Sequence, residues 1–441
     1  MKNIRNIPIF VLFLLAGTHA VPEFRLPILG SSTPYSILIF YFIIYMALLK
    51  VVADRGGVKF SATLLFGFFV YYTAIVLSSS FAVQIENEVL FKWLLFPLMP
   101  ICIALTVDRV QLLKKSLVLF AISGFFVFCY GVYGFITWEV GDLDQHLLGY
   151  FGVTYEDSSR NGDVLYFQST FWILLCIALY ADRVSKLLRA FCGLLAVIVA
   201  VGLVLSLARG AWISGVLTVI ALLAIQRSIK RKFGIAQSSY QKTKLMMIAL
   251  FLAGFLYIFV AMVGGDYQEL LASRIDSFST LSEEGGSSNL ARYRLLMRAT
   301  EVAITHPLGV GVWNLKYYLT DFYMSGLASA ENIYIHMLAE QGLLGVGAYL
   351  FILGWTGRRL YRFIAICGHG SDKWVGWCLM CILINWSLYG LFNIMIETLW
   401  YWLGISLTVA AANLAKRGAG EGCRTPSCRS QALINKREAY S

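Results

Sequence analysis

Apolar runs without a single Asp, Glu, Lys or Arg recur along the whole chain, separated by short polar connections. They cover residues 6–22, 35–49, 60–85, 93–107, 116–138, 164–181, 190–208, 210–226, 245–265, 341–357, 374–396 and 398–415. Each approaches the length needed to cross a ~30 Å hydrocarbon core, some with help from flanking residues or tilt. The pattern predicts an all-α, polytopic integral membrane protein of about twelve transmembrane helices over residues 1–415. The shortest run, 93–107, carries Pro97 and Pro100. The first resembles a signal peptide, with Lys2 and Arg5 before an apolar stretch, and is read as an uncleaved first helix. Residues 265–330 form the longest polar connection, and within it Tyr293 to Ile304 spaces apolar residues at helical intervals. Pro307-Leu308-Gly309-Val310-Gly311 reads as a turn, and Glu283 to Ser288 as a mobile tip. Residues 416–441, rich in Gly, Arg and Ser, read as a disordered tail.

Composition agrees: 59% of the 441 residues are hydrophobic and 14% charged, with mean hydropathy +0.70, values foreign to a soluble domain. The net charge of +11 is a topology signal and not a nucleic-acid footprint. With the N-terminus cytoplasmic, 27 of the 36 basic residues fall on one side, and most acids, including Glu86, Glu139, Asp142 and Asp144, fall on the other. Both termini are therefore expected on the cytoplasmic side, with the 265–330 loop on the outer side. None of the nine cysteines lies in an expected outer loop, and Cys378-x-x-Cys381 reads as core packing within a helix.

Three polar groups interrupt this pattern at helix edges on the expected outer side. Ionisable residues there are costly, which makes function their default reading. The first is Ser206-Leu207-Ala208-Arg209-Gly210-Ala211-Trp212. Arg209 is either a snorkelling residue or a functional one, and its place on the side where basic residues are scarce favours function. The second is Arg292-Tyr293-Arg294, followed by Arg298. The fixed fork of arginine suits bidentate binding of phosphate oxygens, whereas neutralisation of nearby acids is the plain alternative. The third is Glu331-Asn332, followed by His336, Glu340 and Gly342-Leu343-Leu344-Gly345. Glu331 fits a general base or, equally, an acid favoured by a helix N-terminus. His336 and Glu340 are within one turn and can pair; Glu397 is a weaker candidate. No nucleotide-binding motif occurs. Asp142, Asp144 and His146 could hold a divalent ion, and a solvated acidic loop explains them as well. No metal or cofactor is expected.

These groups, in this order, resemble the O-antigen ligase and O-antigen polymerase superfamily over most of the chain from about residue 160. Ser206 to Trp212 is similar to the family's Ser-x-x-Arg-Gly-x-x element. Arg292 precedes Pro307-Leu308-Gly309-Val310-Gly311 by fifteen residues, as does the arginine of the family's periplasmic loop. The third element is a histidine, then Asn, Ser or Gln, nine residues, and Gly-x-x-Gly; Asn332 and Gly342 to Gly345 fit, with Glu331 in place of the histidine. The resemblance implies metal-independent glycosyl transfer at the periplasmic face from undecaprenyl-pyrophosphate-linked glycan. Arg209 and Arg292 would hold the pyrophosphate, with Arg294, Asn332 and His336 as further substrate contacts and Glu331 as base. The acceptor would be a second glycan in a repeat-unit polymerase, or lipid A-core in a ligase, and the absent histidine tilts toward polymerase. Membrane lipids and a chain-length regulator are the further partners implied. The competing class is a transporter or flippase of a lipid-linked sugar, against which the lack of an internal repeat counts.

Overall fold

The computed structural model describes residues 25–28, 31–34, 44, 47, 60–137, 160–206, 208–233, 287–319, 330–366, 373–394 and 399–421. Apart from one short antiparallel hairpin, β1 (Arg25–Ile28) with β2 (Ser31–Pro34), the described elements are helices, as the all-α reading expects. They are α1 (Ala62–Ser79), α2 (Asn87–Leu95), α3 (Leu98–Thr106), α4 (Val110–Thr137), α5 (Arg160–Tyr180), α6 (Lys186–Leu205), α7 (Arg209–Phe233), α8 (Ser287–Thr305), α9 (Leu315–Tyr318), α10 (Ile333–Ile366), α11 (Lys373–Tyr389) and α12 (Leu399–Glu421). Among the described residues five helical stretches are long and apolar enough to cross a membrane, in α1, α4, α6, α7 and α10. Shorter apolar helical stretches are Lys92–Thr106, which spans α2 and α3, Val164–Tyr180 and Tyr401–Leu414. The runs expected at 6–22 and 245–265, and all of 35–49 but Ile44 and Ala47, lie outside the described residues, as do Asp142, Asp144, His146 and Glu397.

The proline-bearing run is not one helix. α2 ends at Leu95 and α3 begins beyond Pro97, because proline lacks the N–H that would continue the ladder. The expected mobile tip is also shorter than its sequence suggests, since α8 already includes Ser287 and Ser288.

α10 is longer than the 341–357 run that predicts it. Its 34 residues would extend about 51 Å as one straight helix, well beyond a ~30 Å core. The helix in fact breaks at Gly342, where φ is 67° and ψ −170°. The part beyond Gly342, about 36 Å long, is matched to a bilayer, and the part before it stands at the mouth.

Aromatic and small side chains fill the main core. Trp386 packs under Gly404 of α12, where a Cβ would meet its indole ring at 2.0 Å. A buried polar chain ties three helices together. Gln168 of α5 donates to the Ala211 carbonyl of α7 at 2.8 Å, and Asn385 of α11 donates to Gln168 Oε1 at 2.8 Å. Each amide finds a partner, as burial in an apolar bundle requires. Cys176 and Cys381 touch with their sulfurs 3.9 Å apart inside this core, in line with a packing role for the Cys378-x-x-Cys381 pair.

Candidate functional site

The mouth of the bundle is built where α6 and α7 meet. Ser206 closes α6 and donates its hydroxyl to the Leu203 carbonyl at 2.7 Å. Trp212 Nε1 donates to the same carbonyl at 3.0 Å, so the first turn of α7 folds back on the last turn of α6. Arg209 is the first residue of α7 and is partly buried. Gly210 follows because the space is taken: a Cβ there would stand 2.9 Å from the Phe392 side chain.

The same turn after α11 receives the third polar group. Ile333 N donates to the Gly390 carbonyl at 2.8 Å, and Asn332 Nδ2 donates to the Leu391 carbonyl at 3.1 Å. Tyr334 adds a hydroxyl bond to the Ser387 carbonyl at 2.6 Å. Residues 387–392 are therefore the shared seat of the Arg209 and Glu331 elements, which sequence reasoning missed. They lie in an apolar run with no charged residue to draw attention, and only Gly390 among them hints at close packing.

Asn332 is the N-cap of α10. Its Oδ1 accepts the N–H groups of Tyr334 and Ile335 at 3.0 and 3.1 Å, satisfying two of the donors every helix start leaves unpaired. Glu331, one residue earlier, takes a left-handed backbone with φ 47°, unusual for a residue with a side chain. That turn aims its carboxylate at α8, where Oε2 lies 2.6 Å from Arg292 Nε. Burial raises the proton affinity of Glu331; the Arg292 guanidinium pulls it back, and burial wins, leaving the pKa above the ordinary carboxylate value.

Arg294 is exposed on α8. Arg298 is occupied by Glu301, 2.5 Å away on the same helix. His336 does not face the mouth: it is buried, 3.2 Å from the Glu340 carboxylate and against the Trp93 ring at a centroid distance of 6.2 Å. Glu340 in turn accepts the Leu315 N–H at 3.3 Å. The expected pairing of His336 with Glu340 is thus observed as an internal contact one turn apart on α10, and the Leu315 bond to Glu340 fastens the start of α9 to α10.

What holds Arg292 opposite Glu331 is a joint at the break in α10. Interrupting the helix at Gly342 orphans the carbonyls of Ala339 and Glu340 and the N–H of Leu343. The Pro307–Gly311 turn supplies all three partners: Val310 N donates to Ala339 O at 2.9 Å, Gly311 N to Glu340 O at 3.0 Å, and Leu343 N to Pro307 O at 3.0 Å. Gly309 and Gly311 have φ of 87° and 96°, a region open to glycine at no steric cost. A small separate core of Leu295, Ala299, Val310, Leu315 and Ala339 packs α8 and its turn onto α10.

A second clamp, also missed, comes from the connection after α1. Asn314 accepts the Gln84 N–H at 3.0 Å and donates to the Gln84 carbonyl at 2.8 Å, and Lys316 pairs with Glu86. Nothing in a sequence 230 residues apart signals that contact.

These features define an integral membrane protein of helices with a charged site at one mouth of the bundle. Residues 194–350 match the family model described as O-antigen ligase, and over that stretch the expected place in the O-antigen ligase and polymerase superfamily is borne out. The matched segment includes Arg209, Arg292, Glu331, Asn332 and the Gly342 joint, and it supports glycosyl transfer of the ligase or polymerase type. No curated protein matches the chain.

Proposed function

We propose that this site transfers a glycan from undecaprenyl pyrophosphate to an acceptor sugar, extending a polysaccharide by repeat units at the periplasmic face of the inner membrane. The observation that carries the reading is the 2.6 Å contact of Arg292 with Glu331, a cation and a candidate base at one mouth. The acceptor hydroxyl oxygen attacks the anomeric carbon while its proton passes to the Glu331 carboxylate. The bond from that carbon to the phosphate oxygen breaks, and its electron pair leaves on the pyrophosphate. Arg209 and Arg292 neutralise the developing charge, as cations aimed at a departing anion do.

The two roles of Arg292 are coupled. Pyrophosphate oxygens entering the mouth compete with Glu331 for the guanidinium. A carboxylate that loses its cation while partly buried becomes a stronger base. Donor binding thereby activates the base, and the resting pair keeps it quiet. Asn332 and His336 act here through position, as N-cap and as buried partner of Glu340, with Arg294 left exposed to meet the glycan or phosphate.

Ligation to lipid A-core is the second reading, favoured by the description of the matched family and opposed by Glu331 in place of the family histidine. Purified protein in proteoliposomes with undecaprenyl-pyrophosphate glycan should form longer covalent glycan. Movement of the lipid-linked glycan across the bilayer with no new glycosidic bond would replace this proposal with the transporter class.

A further inference from the structure

α8 buries one side and leaves another uncovered. Leu295, Ala299 and Val302 face the small core, whereas Tyr293, Met297 and Ile304 are 55%, 54% and 75% exposed. At 100° per residue these three lie within about 40° of arc, one stripe along the helix. Single exposed apolar residues need no explanation, but a stripe on one face does. Arg294 and Arg298 stand exposed on one flank of it.

The stripe does not stop where α8 ends. Leu308, also half exposed, sits in the turn that docks on Gly342, and Leu343 and Leu344 continue the uncovered apolar surface onto α10. Leu350 and Phe351 carry it further along the bilayer-length part of that helix. Gly342 stands at the mouth end of that part, so α8 leaves the joint at the level where hydrocarbon gives way to headgroups.

We infer that the Tyr293–Met297–Ile304 face of α8 rests in the headgroup boundary of the same bilayer that α10 crosses, with lipid chains beneath it. Continuity with the exposed leucines of α10 is what selects lipid over protein as the occupant. Arg294 on the flank suits anionic headgroup phosphates, as on other interfacial helices with apolar and basic faces. Arg292 projects from another side of the same helix, toward Glu331. A helix fixed at headgroup depth therefore keeps Arg292 level with the pyrophosphate of a membrane-bound donor, a consequence that rests on the glycosyl-transfer reading above. An anion arriving from bulk water would gain nothing from that depth.

The test places a bimane label at Met297→Cys, Ile304→Cys and Arg298→Cys in the full-length protein, reconstituted in vesicles of phosphatidylethanolamine and phosphatidylglycerol. Parent protein labelled in parallel corrects for native thiols, and all three side chains are exposed, so the core is undisturbed. Phospholipids carrying a doxyl group near the headgroup should quench the labels at 297 and 304 several-fold more than the label at 298. Aqueous iodide should give the opposite order. Iodide reaching 297 and 304 as readily as 298 would overturn the inference. Protection of 297 and 304 from both quenchers would also overturn it, in favour of a second copy of the chain covering this face. Because the readout needs no turnover, it stands or falls apart from the catalytic proposal.

Discussion

Gly309 and Gly342 cross with their backbones in contact: a Cβ on Gly309 would stand 2.4 Å from the Glu340 carbonyl oxygen, and one on Gly342 2.4 Å from that of Pro307. Two short glycine elements far apart in the chain are thus halves of one joint. The joint sets the distance between α8, which carries Arg292, and the start of α10, which carries Glu331.

Gly309→Ala and Gly342→Ala should each destabilise the protein by about 2 kcal/mol or more, through a positive φ and a backbone clash together. Gly347→Ala is the control, because nothing lies within 4 Å of its Cβ position. In a helix interior that change should be neutral or stabilising by up to ~1 kcal/mol. Thermal unfolding in detergent reads all three, and equal shifts would dissolve the joint as an explanation.

Glu331→Gln keeps the shape and removes proton acceptance, so turnover should fall by about 10²–10⁴-fold, as for loss of a general base. Glu331→Asp should retain part of the activity where the shorter chain still reaches the hydroxyl. A fully active Glu331→Gln would leave this carboxylate a structural partner of Arg292.

The pH profile carries an independent signature. Burial raises the pKa of Glu331 more than Arg292 lowers it. A base works only when deprotonated, so kcat/KM should decline as pH falls, starting at a higher pH than for an ordinary carboxylate. The residual rate of Glu331→Gln should lack that acid limb. An unchanged limb in the variant would assign it to another group.

Arg209→Ala and Arg292→Ala should each abolish transfer while the protein accumulates normally in the membrane. Lysine should rescue either site only in part, since it lacks the planar fork. Normal activity in an alanine variant, measured beside its membrane level by immunoblot, would remove that arginine from the mechanism.

Reporter fusions after Ser282 should read as periplasmic and those after Lys230 as cytoplasmic. A deletion strain should then show single repeat units on their acceptor. Polymerised glycan stranded on undecaprenyl pyrophosphate would instead identify a ligase, and a cytoplasmic signal at Ser282 would put every site residue in the wrong compartment.

Hydropathy alone determined the helical membrane class, and local periodicity foretold α8 and the Pro307–Gly311 turn, because partition into lipid and helical repeat are properties of neighbouring residues. The spacing of Arg209, Arg292 and Glu331 also pointed to one site. Their partners were decided only by tertiary packing. The break at Gly342 left two carbonyls and an N–H that had to be satisfied from 307–311, and this brought Arg292 to Glu331. Asn332 became a cap and His336 an internal contact because helix starts and buried polar atoms must find partners wherever the fold supplies them. Segment 387–392 and the Gln84–Asn314 clamp stayed illegible because one partner in each bond is a backbone carbonyl or N–H that every residue carries alike.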